Sequence, residues 1–283
     1  MTTAFARALT RSRRALARDL PWIAHPDPWA ILVAEVMLQQ TSVARVREPW
    51  RVFLQAYPTP AALAAAPLDE VLIRWRGLGY PRRARNLREA ARVICSEHAG
   101  AVPTGLRALR ALPGVGEYTA SAVASFAFGA PLSVLDTNVG RVLARALAAA
   151  PLTRLQARAL ADAARGRRAS APWNQAMIDL GAQFCTARPR CEVCPVRRAC
   201  AWRARGGPDP APASAGVSRA QAPFEGSDRQ LRGRVLARLV EGVSGAAFEA
   251  AFADVERARL ARILEGLRAD GLVELESVRL ARA

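Results

Sequence analysis

Residues 29–40 are almost entirely apolar and carry a single acid, Glu35. A carboxyl group on an apolar helix pays a desolvation cost, and burial raises its pKa toward the range of a general acid near neutrality. A structural ion pair with a nearby Arg would satisfy the same residue. A second acid, Asp136, follows an uncharged stretch at 120–135 and precedes a helix carrying Arg141 and Arg145. It can cap that helix and still face a cleft. Residues 112–116 read Leu-Pro-Gly-Val-Gly between two helical stretches. Pro113 ends one helix, and Gly114 and Gly116 permit a tight turn. The next helix then offers free N–H groups to an anion, although an ordinary helical corner also fits. Four cysteines follow the pattern Cys185-x5-Cys191-x2-Cys194-x5-Cys200, which suits zinc or a [4Fe–4S] cluster. A single CxxC pair on one compact loop fits the cluster better than a zinc ribbon. Cys95 stands alone and reads as a small buried side chain.

These residues are held by a chain of 283 residues with 41 basic and 24 acidic side chains, a formal charge of +17. All the basic residues are Arg and none is Lys. The charge favours a polyanion such as nucleic acid. The missing Lys excludes Schiff-base chemistry from any side chain, leaving the α-amino group of Met1 as a primary amine. No apolar run of 18 residues is present, and the Arg-studded N-terminus lacks the core of a signal peptide. The expectations are no membrane partner and a cytoplasmic protein, nucleoid-associated if bacterial.

The positioning elements read as helices. Residues 5–20 alternate Arg with Ala and Leu at helical spacing, 29–40 form a buried helix, and repeated Pro breaks divide several short helices. No alternating pattern occurs before residue 270, so the body is expected to be mainly all-α. Residues 205–223 are Gly/Pro/Ala-rich and read as a linker. Residues 224–283 read as a small separate α+β module like a winged helix, with helical spacing through Leu231 to Val240 and Leu260 to Leu267, then alternation in LVELESVRL.

In this order the motifs resemble the helix-hairpin-helix DNA glycosylase superfamily, and within it the adenine DNA glycosylases. The resemblance spans about residues 20–205. It rests on LPW (20–22), AEVMLQQT (34–41), APLDEV (66–71), WRGLGY (75–80), RARNL (83–87), LPGVGEYTA (112–120), LDTNVGRVLAR (135–145), NQAMIDLGAQFC (174–185) and CEVCP (191–195). It implies a six-helix barrel over 23–130 and an iron–sulfur helical domain built from 1–22 and 131–204. A [4Fe–4S] cluster would be bound by the four cysteines, and the partner would be double-stranded DNA with a mismatched or oxidised base pair, engaged by a monomer.

By this resemblance Glu35 protonates N7 of a flipped adenine, and Asp136 stabilises the oxocarbenium-like sugar. The N-terminus of the following helix favours the carboxylate form of Asp136. Asn138 lies near the adenine. Lyase-type relatives carry a Lys where this chain has Tyr118, so the enzyme is expected to release the base and stop, with Tyr118 positioning Asp136 or the sugar. Gln39 and Tyr80 match residues that wedge into the base stack. Gln40, Thr41, Gly114, Val115, Gly116 and Arg188 are the other expected DNA contacts. The first cysteine gap is five residues where the family usually has six. The relatives' larger Nudix-like domain, which reads 8-oxoguanine, exceeds what about 60 residues can build. The expected substrate is adenine opposite 8-oxoguanine or guanine. Thymine release from T·G pairs and catalytically silent damage binding are the alternatives.

Overall fold

The computed structural model describes residues 2–23, 25, 27–217 and 222–273. These form helices α1 (Thr2–Leu16), α2 (Pro28–Leu38), α3 (Val43–Ala56), α4 (Pro60–Ala65), α5 (Leu68–Arg74), α6 (Arg82–Glu97), α7 (Leu106–Ala111), α8 (Glu117–Phe128) and α9 (Thr137–Val142). Then follow α10 (Arg154–Arg165), α11 (Ser170–Gln183), α12 (Ala201–Arg205), α13 (Asp228–Val240), α14 (Gly245–Ala251) and α15 (Arg257–Ala269). No strand occurs among the described residues, which agrees with the all-α expectation. No helix among them is long and apolar enough to cross a membrane.

The chain folds as two compact units. One comprises Met1–Ile31, Thr104–Arg110 and Val115–Ala220, and the other Leu32–Pro103, Ala111–Gly114 and Gln221–Ala283.

In the first unit, α1 buries Phe5, Ala6 and Leu9 and leaves most of its Arg side chains outside, an amphipathic division that follows helical spacing. It packs on α10 and α11 around a core that includes Val142, Leu143, Ala161, Trp173, Met177 and Leu180. Arg18 pairs with the buried Asp179 at 2.6 Å and so fixes the end of α1 to α11. The helix begun by α9 continues as a π-helical stretch, Leu143–Ala148, which packs against α12. Such wide turns are local departures from α geometry that commonly re-aim side chains at functional sites. Here the stretch carries Arg145, only 1% exposed.

Residues read from composition as linker do more than connect. Asp209 receives two hydrogen bonds from Arg145, at 2.8 and 2.6 Å. Ala211 is fully buried, and the Ala215 N–H donates to the Leu152 carbonyl at 2.8 Å. A Cβ on Gly140 would stand 3.3 Å from the Ala215 carbonyl oxygen, so glycine at 140 makes room for this strap on α9.

In the second unit, α4 and α5 pack on α6, and the Phe53 ring meets Tyr57 and Trp75 edge-on at centroid distances of 4.9 and 5.7 Å. The C-terminal segment, expected as a separate module, lies in this same unit and holds the two expected helices, now α13 and α15, with α14 between them. Leu231, Val235, Phe248, Phe252, Leu260 and Leu267 are buried there. The module leans on α5 through α13. Ion pairs from Arg76 to Glu241 (3.0 Å) and from Arg82 to Asp270 (3.2 Å) tie it down. The expected strand pairing at LVELESVRL falls largely on residues 274–283, outside the described residues.

Candidate active site

Asp136 is the N-cap of α9. Its Oδ1 accepts the Val139 N–H at 2.7 Å, as capping requires. Its Oδ2 accepts a hydrogen bond from the Asn138 side-chain amide, also at 2.7 Å. The Asn138 amide oxygen in turn accepts from Arg141 Nη2 at 2.6 Å. With an acceptor on one side and a donor on the other, only one orientation of this amide satisfies both neighbours. Arg141 completes the chain by donating Nε to the Cys185 carbonyl at 2.7 Å and Nη2 to the Gly181 carbonyl at 3.2 Å. Burial pushes the Asp136 carboxyl above its ordinary range, against the opposing pull of the Val139 N–H, the Asn138 amide and the Arg141 charge. The helix N-terminus favours the carboxylate as the sequence implied, but loss of solvent outweighs it. The close pairing of α9 with α11 depends on Gly181, where a Cβ would fall 2.6 Å from the Cβ and carbonyl oxygen of Asn138.

Glu35 lies in the other unit, on α2, and is 5% exposed among buried Leu32, Val33, Ala34, Val36 and Met37. The expectation of a buried acid on an apolar helix holds.

Two loops follow from the same unit. After α2 the chain turns through Gln39, Gln40 and Thr41, and before α6 it passes through Gly77, Gly79 and Tyr80. Gln40 (φ 57°) and Tyr80 (φ 48°) both adopt the left-handed region, which costs a non-glycine residue conformational energy. Arg83 holds both loops. Its Nη1 donates to the carbonyls of Val36 and Met37 at 2.9 and 2.6 Å, and its Nη2 to those of Leu78 and Gly79, both at 2.9 Å. Nη2 also reaches Thr41 Oγ1 at 3.0 Å, and that hydroxyl donates to the Leu78 carbonyl at 3.0 Å. Burial draws the Arg83 pKa down to about 10, which still leaves the guanidinium charged at neutrality. Gln39 Nε2 lies 3.3 Å from the Gly114 carbonyl. The Arg-rich segment around 82–92 reads from sequence as phosphate-facing, but Arg83 turns inward to main-chain carbonyls, which leave no residue-type signature.

Gly114 has φ 76°, and a Cβ there would meet Asn86 Cβ at 2.7 Å, so this turn needs glycine. Gly116, the N-cap of α8, has φ −79° and open space where a Cβ would stand. The turn itself therefore does not require glycine at 116, but the bare backbone leaves the helix start open to a close approach. Val115 is buried, and Tyr118, half-buried, is the second residue of α8. Glu117 beside it pairs with Arg154 (3.0 Å) and Arg158 on α10, fixing the helix start.

Cys185, Cys191, Cys194 and Cys200 line one cavity, with Arg145, Phe184, Val196 and Trp202. Burial, and then the neighbouring thiols Cys185, Cys200 and Cys191, push the Cys194 thiol up to about 11. Arg145 Nη1 lies 3.5 Å from Cys185 Sγ and donates to the Thr186 carbonyl at 2.6 Å. No group of three or more His, Cys, Asp or Glu side chains among the described residues is set to hold a metal ion. Arg188 is exposed on this loop, its carbonyl accepting from Thr186 Oγ1 at 2.5 Å.

Residues 33–163 match the HhH-GPD superfamily of base excision DNA repair proteins. Among curated proteins, the adenine DNA glycosylase of Mycobacterium tuberculosis (strain ATCC 25618 / H37Rv) is 45% identical over 272 residues, covering 90% of this chain and 86% of its own. Among solved structures, a thermostable thymine-DNA glycosylase superposes with a TM-score of 0.67 at 27% identity, over 72% of this chain and 97% of that one. A trapped endonuclease III–DNA covalent intermediate does so with a TM-score of 0.64 at 27% identity, over 72% and 98%. The chain thus belongs to the HhH-GPD superfamily of DNA repair glycosylases and, within it, to the adenine DNA glycosylase family.

Proposed function

We propose that the protein is a monofunctional DNA glycosylase of base excision repair that hydrolyses the N-glycosidic bond of adenine mispaired with 8-oxoguanine or guanine. The observation that carries this reading is the Asp136 carboxylate, oriented by the Val139 N–H and the Asn138 amide. A carboxylate so fixed suits the stabilisation of a developing sugar cation. Glu35 supplies the proton to adenine N7. The C1′–N9 bond breaks with its electron pair going to the base, and Asp136 faces the resulting cation at C1′. A water oxygen adds to C1′, and the proton it sheds restores Glu35. Asn138 orients Asp136, while Tyr118 stands at the start of α8 where a lyase would need an amine.

DNA is the partner that the net charge of +17 and the family support. The open backbone at Gly116 and the N-terminus of α8 suit a phosphate. Gln39, Gln40, Thr41 and Tyr80, held by Arg83, form the wedge loops. Arg188 adds charge for the backbone.

The four cysteines suit a [4Fe–4S] cluster. All four line one cavity, which supports a shared cofactor, and a single CxxC pair favours the cluster over a zinc ribbon. When bound, the cluster supplies a covalent tie across the loop from Cys185 to Cys200. A visible absorption band near 400 nm in the purified protein is the expected sign.

The test of function is single-turnover base release from A·8-oxoG, A·G, A·T and T·G duplexes. Adenine release favouring the first two is expected, with Glu35→Gln about 10²- to 10⁴-fold slower and still bound to DNA. Release of thymine alone from T·G would replace this reading with a thymine glycosylase, a reaction named for one structural relative. Binding without release from any duplex would make the protein a silent damage binder.

A further inference from the structure

Phe224 is 60% exposed, the only aromatic side chain among the large exposed hydrophobics of the described residues. Its backbone is nevertheless fixed. The Ser227 hydroxyl and N–H both donate to the Phe224 carbonyl, at 2.6 and 3.2 Å. Ser227 caps α13 through the Gln230 N–H, and the Gln230 side chain accepts the Gly226 N–H at 2.8 Å. Arg259 Nη2 donates to the Gly226 carbonyl at 2.7 Å. An aromatic ring on a turn held by this many hydrogen bonds loses little backbone entropy when it is covered.

The ring has a cationic neighbour. The Arg229 guanidinium stands 6.0 Å from the Phe224 centroid, and its Nη2 is anchored to the Ala222 carbonyl at 2.6 Å. Its Nη1 lies 3.5 Å from the Tyr80 hydroxyl, and the Arg83 guanidinium lies 5.6 Å from the Tyr80 ring. Aromatic and guanidinium groups thus alternate from the C-terminal module to the wedge loop: Phe224, Arg229, Tyr80, Arg83. Arg82 and Arg232, both paired to Asp270, hold the module in that place. Alternating π faces and cations match stacked nucleobases with phosphates beside them. The arginine fork also matches the O6 and N7 acceptors of an orphaned guanine, whereas 8-oxoguanine carries N7–H and presents O6 and O8 as its acceptors.

We propose that Phe224 and Arg229 form a stacking platform for the purine left unpaired when adenine leaves the duplex. The proposal rests on the glycosylase reading above. It gives the C-terminal module, far smaller than the Nudix-like domain of larger relatives, a part in reading the opposite strand. Tyr80 enters the gap left by the flipped base, and Phe224 covers the face of the orphaned purine beyond it.

The test is equilibrium binding at one salt concentration to two duplexes. One carries a tetrahydrofuran abasic analogue opposite guanine, and the other carries the analogue on both strands, so that no orphaned purine exists. Phe224→Ala should weaken binding to the first about tenfold, the scale of one lost base–aromatic stack, and to the second less than twofold. Phe224→Trp should restore the first. Unchanged binding to the first duplex, or equal loss on both, overturns the platform. Adenine release by the wild-type protein is scored separately. Its absence overturns the glycosylase reading, whereas a wild-type enzyme active on A·8-oxoG with an indifferent Phe224→Ala variant overturns this inference alone.

Discussion

Arg141 and Asp136 are joined through one amide: the guanidinium holds the Asn138 oxygen at 2.6 Å, and the Asn138 nitrogen holds the Asp136 carboxylate at 2.7 Å. The same guanidinium donates to the Cys185 carbonyl at 2.7 Å. A residue proposed to work on the sugar is thereby positioned by the loop that carries the four cysteines.

Removing Arg141 should move the pH dependence of catalysis. Burial already raises the Asp136 carboxyl, and the Arg141 charge is one of the influences pulling it down. The proposed reaction uses Asp136 as a carboxylate, so activity should fall as pH drops through its pKa. Arg141→Met raises that pKa further and shifts the acid limb of the single-turnover profile to higher pH. At the optimum the rate should fall about 10- to 100-fold, as expected for a lost charge-assisted hydrogen bond. A slower variant with an unmoved acid limb would show that Arg141 acts on structure alone.

Tyr118→Lys should create an activity that the parent lacks. The new amine at the start of α8 can attack the C1′ carbon of an abasic sugar and form an imine that borohydride reduces to a stable crosslink. The sequence contains no Lys, so no side-chain amine of the parent competes and its trapping background should be close to zero. Strong trapping by the parent would contradict the monofunctional assignment.

Gly181→Ala should damage both stability and rate. The added methyl would collide with Asn138 at 2.6 Å, and the obstacle includes main-chain oxygen. Forcing α9 from α11 costs about 1–3 kcal/mol and displaces the amide that orients Asp136. Denaturant unfolding measures the first effect and single-turnover base release the second. An unchanged rate in a destabilised variant would separate Asn138 from catalysis.

Arg83→Met should destabilise the second unit by about 2–4 kcal/mol, because four main-chain carbonyls lose a buried donor. Affinity for a duplex carrying an abasic analogue should weaken as well, since the loops of Gln40 and Tyr80 lose their shared anchor. Full affinity in the variant would show that the loops hold their shape unaided.

Much of the site is legible in the sequence because it rests on local chemistry. Asp136 before Thr-Asn-Val announces an N-cap, Glu35 is conspicuous on an apolar helix, and the cysteines cluster within sixteen residues of chain. What stays hidden depends on distant main-chain partners. Arg83 meets carbonyls more than forty positions away at Val36 and Met37, and any Arg in the chain looks the same in composition. The segment from Asp209 to Ala215 is rich in Pro and Ala, which signals only an inability to build a core. It packs because Arg145 and the bare backbone of Gly140 supply what it lacks. Phe224 is equally silent, since exposure is not encoded in residue type.

The Cys185 carbonyl accepts hydrogen bonds from both Arg141 and Arg145, at 2.7 and 3.3 Å. Because the acceptor is main chain, every amino acid at position 185 would present it. Point substitution there can abolish a thiolate but leaves this junction intact. Insertion or deletion between Cys185 and Cys191 would shift the carbonyl itself. This loop should therefore tolerate changes of spelling near the junction far better than changes of length.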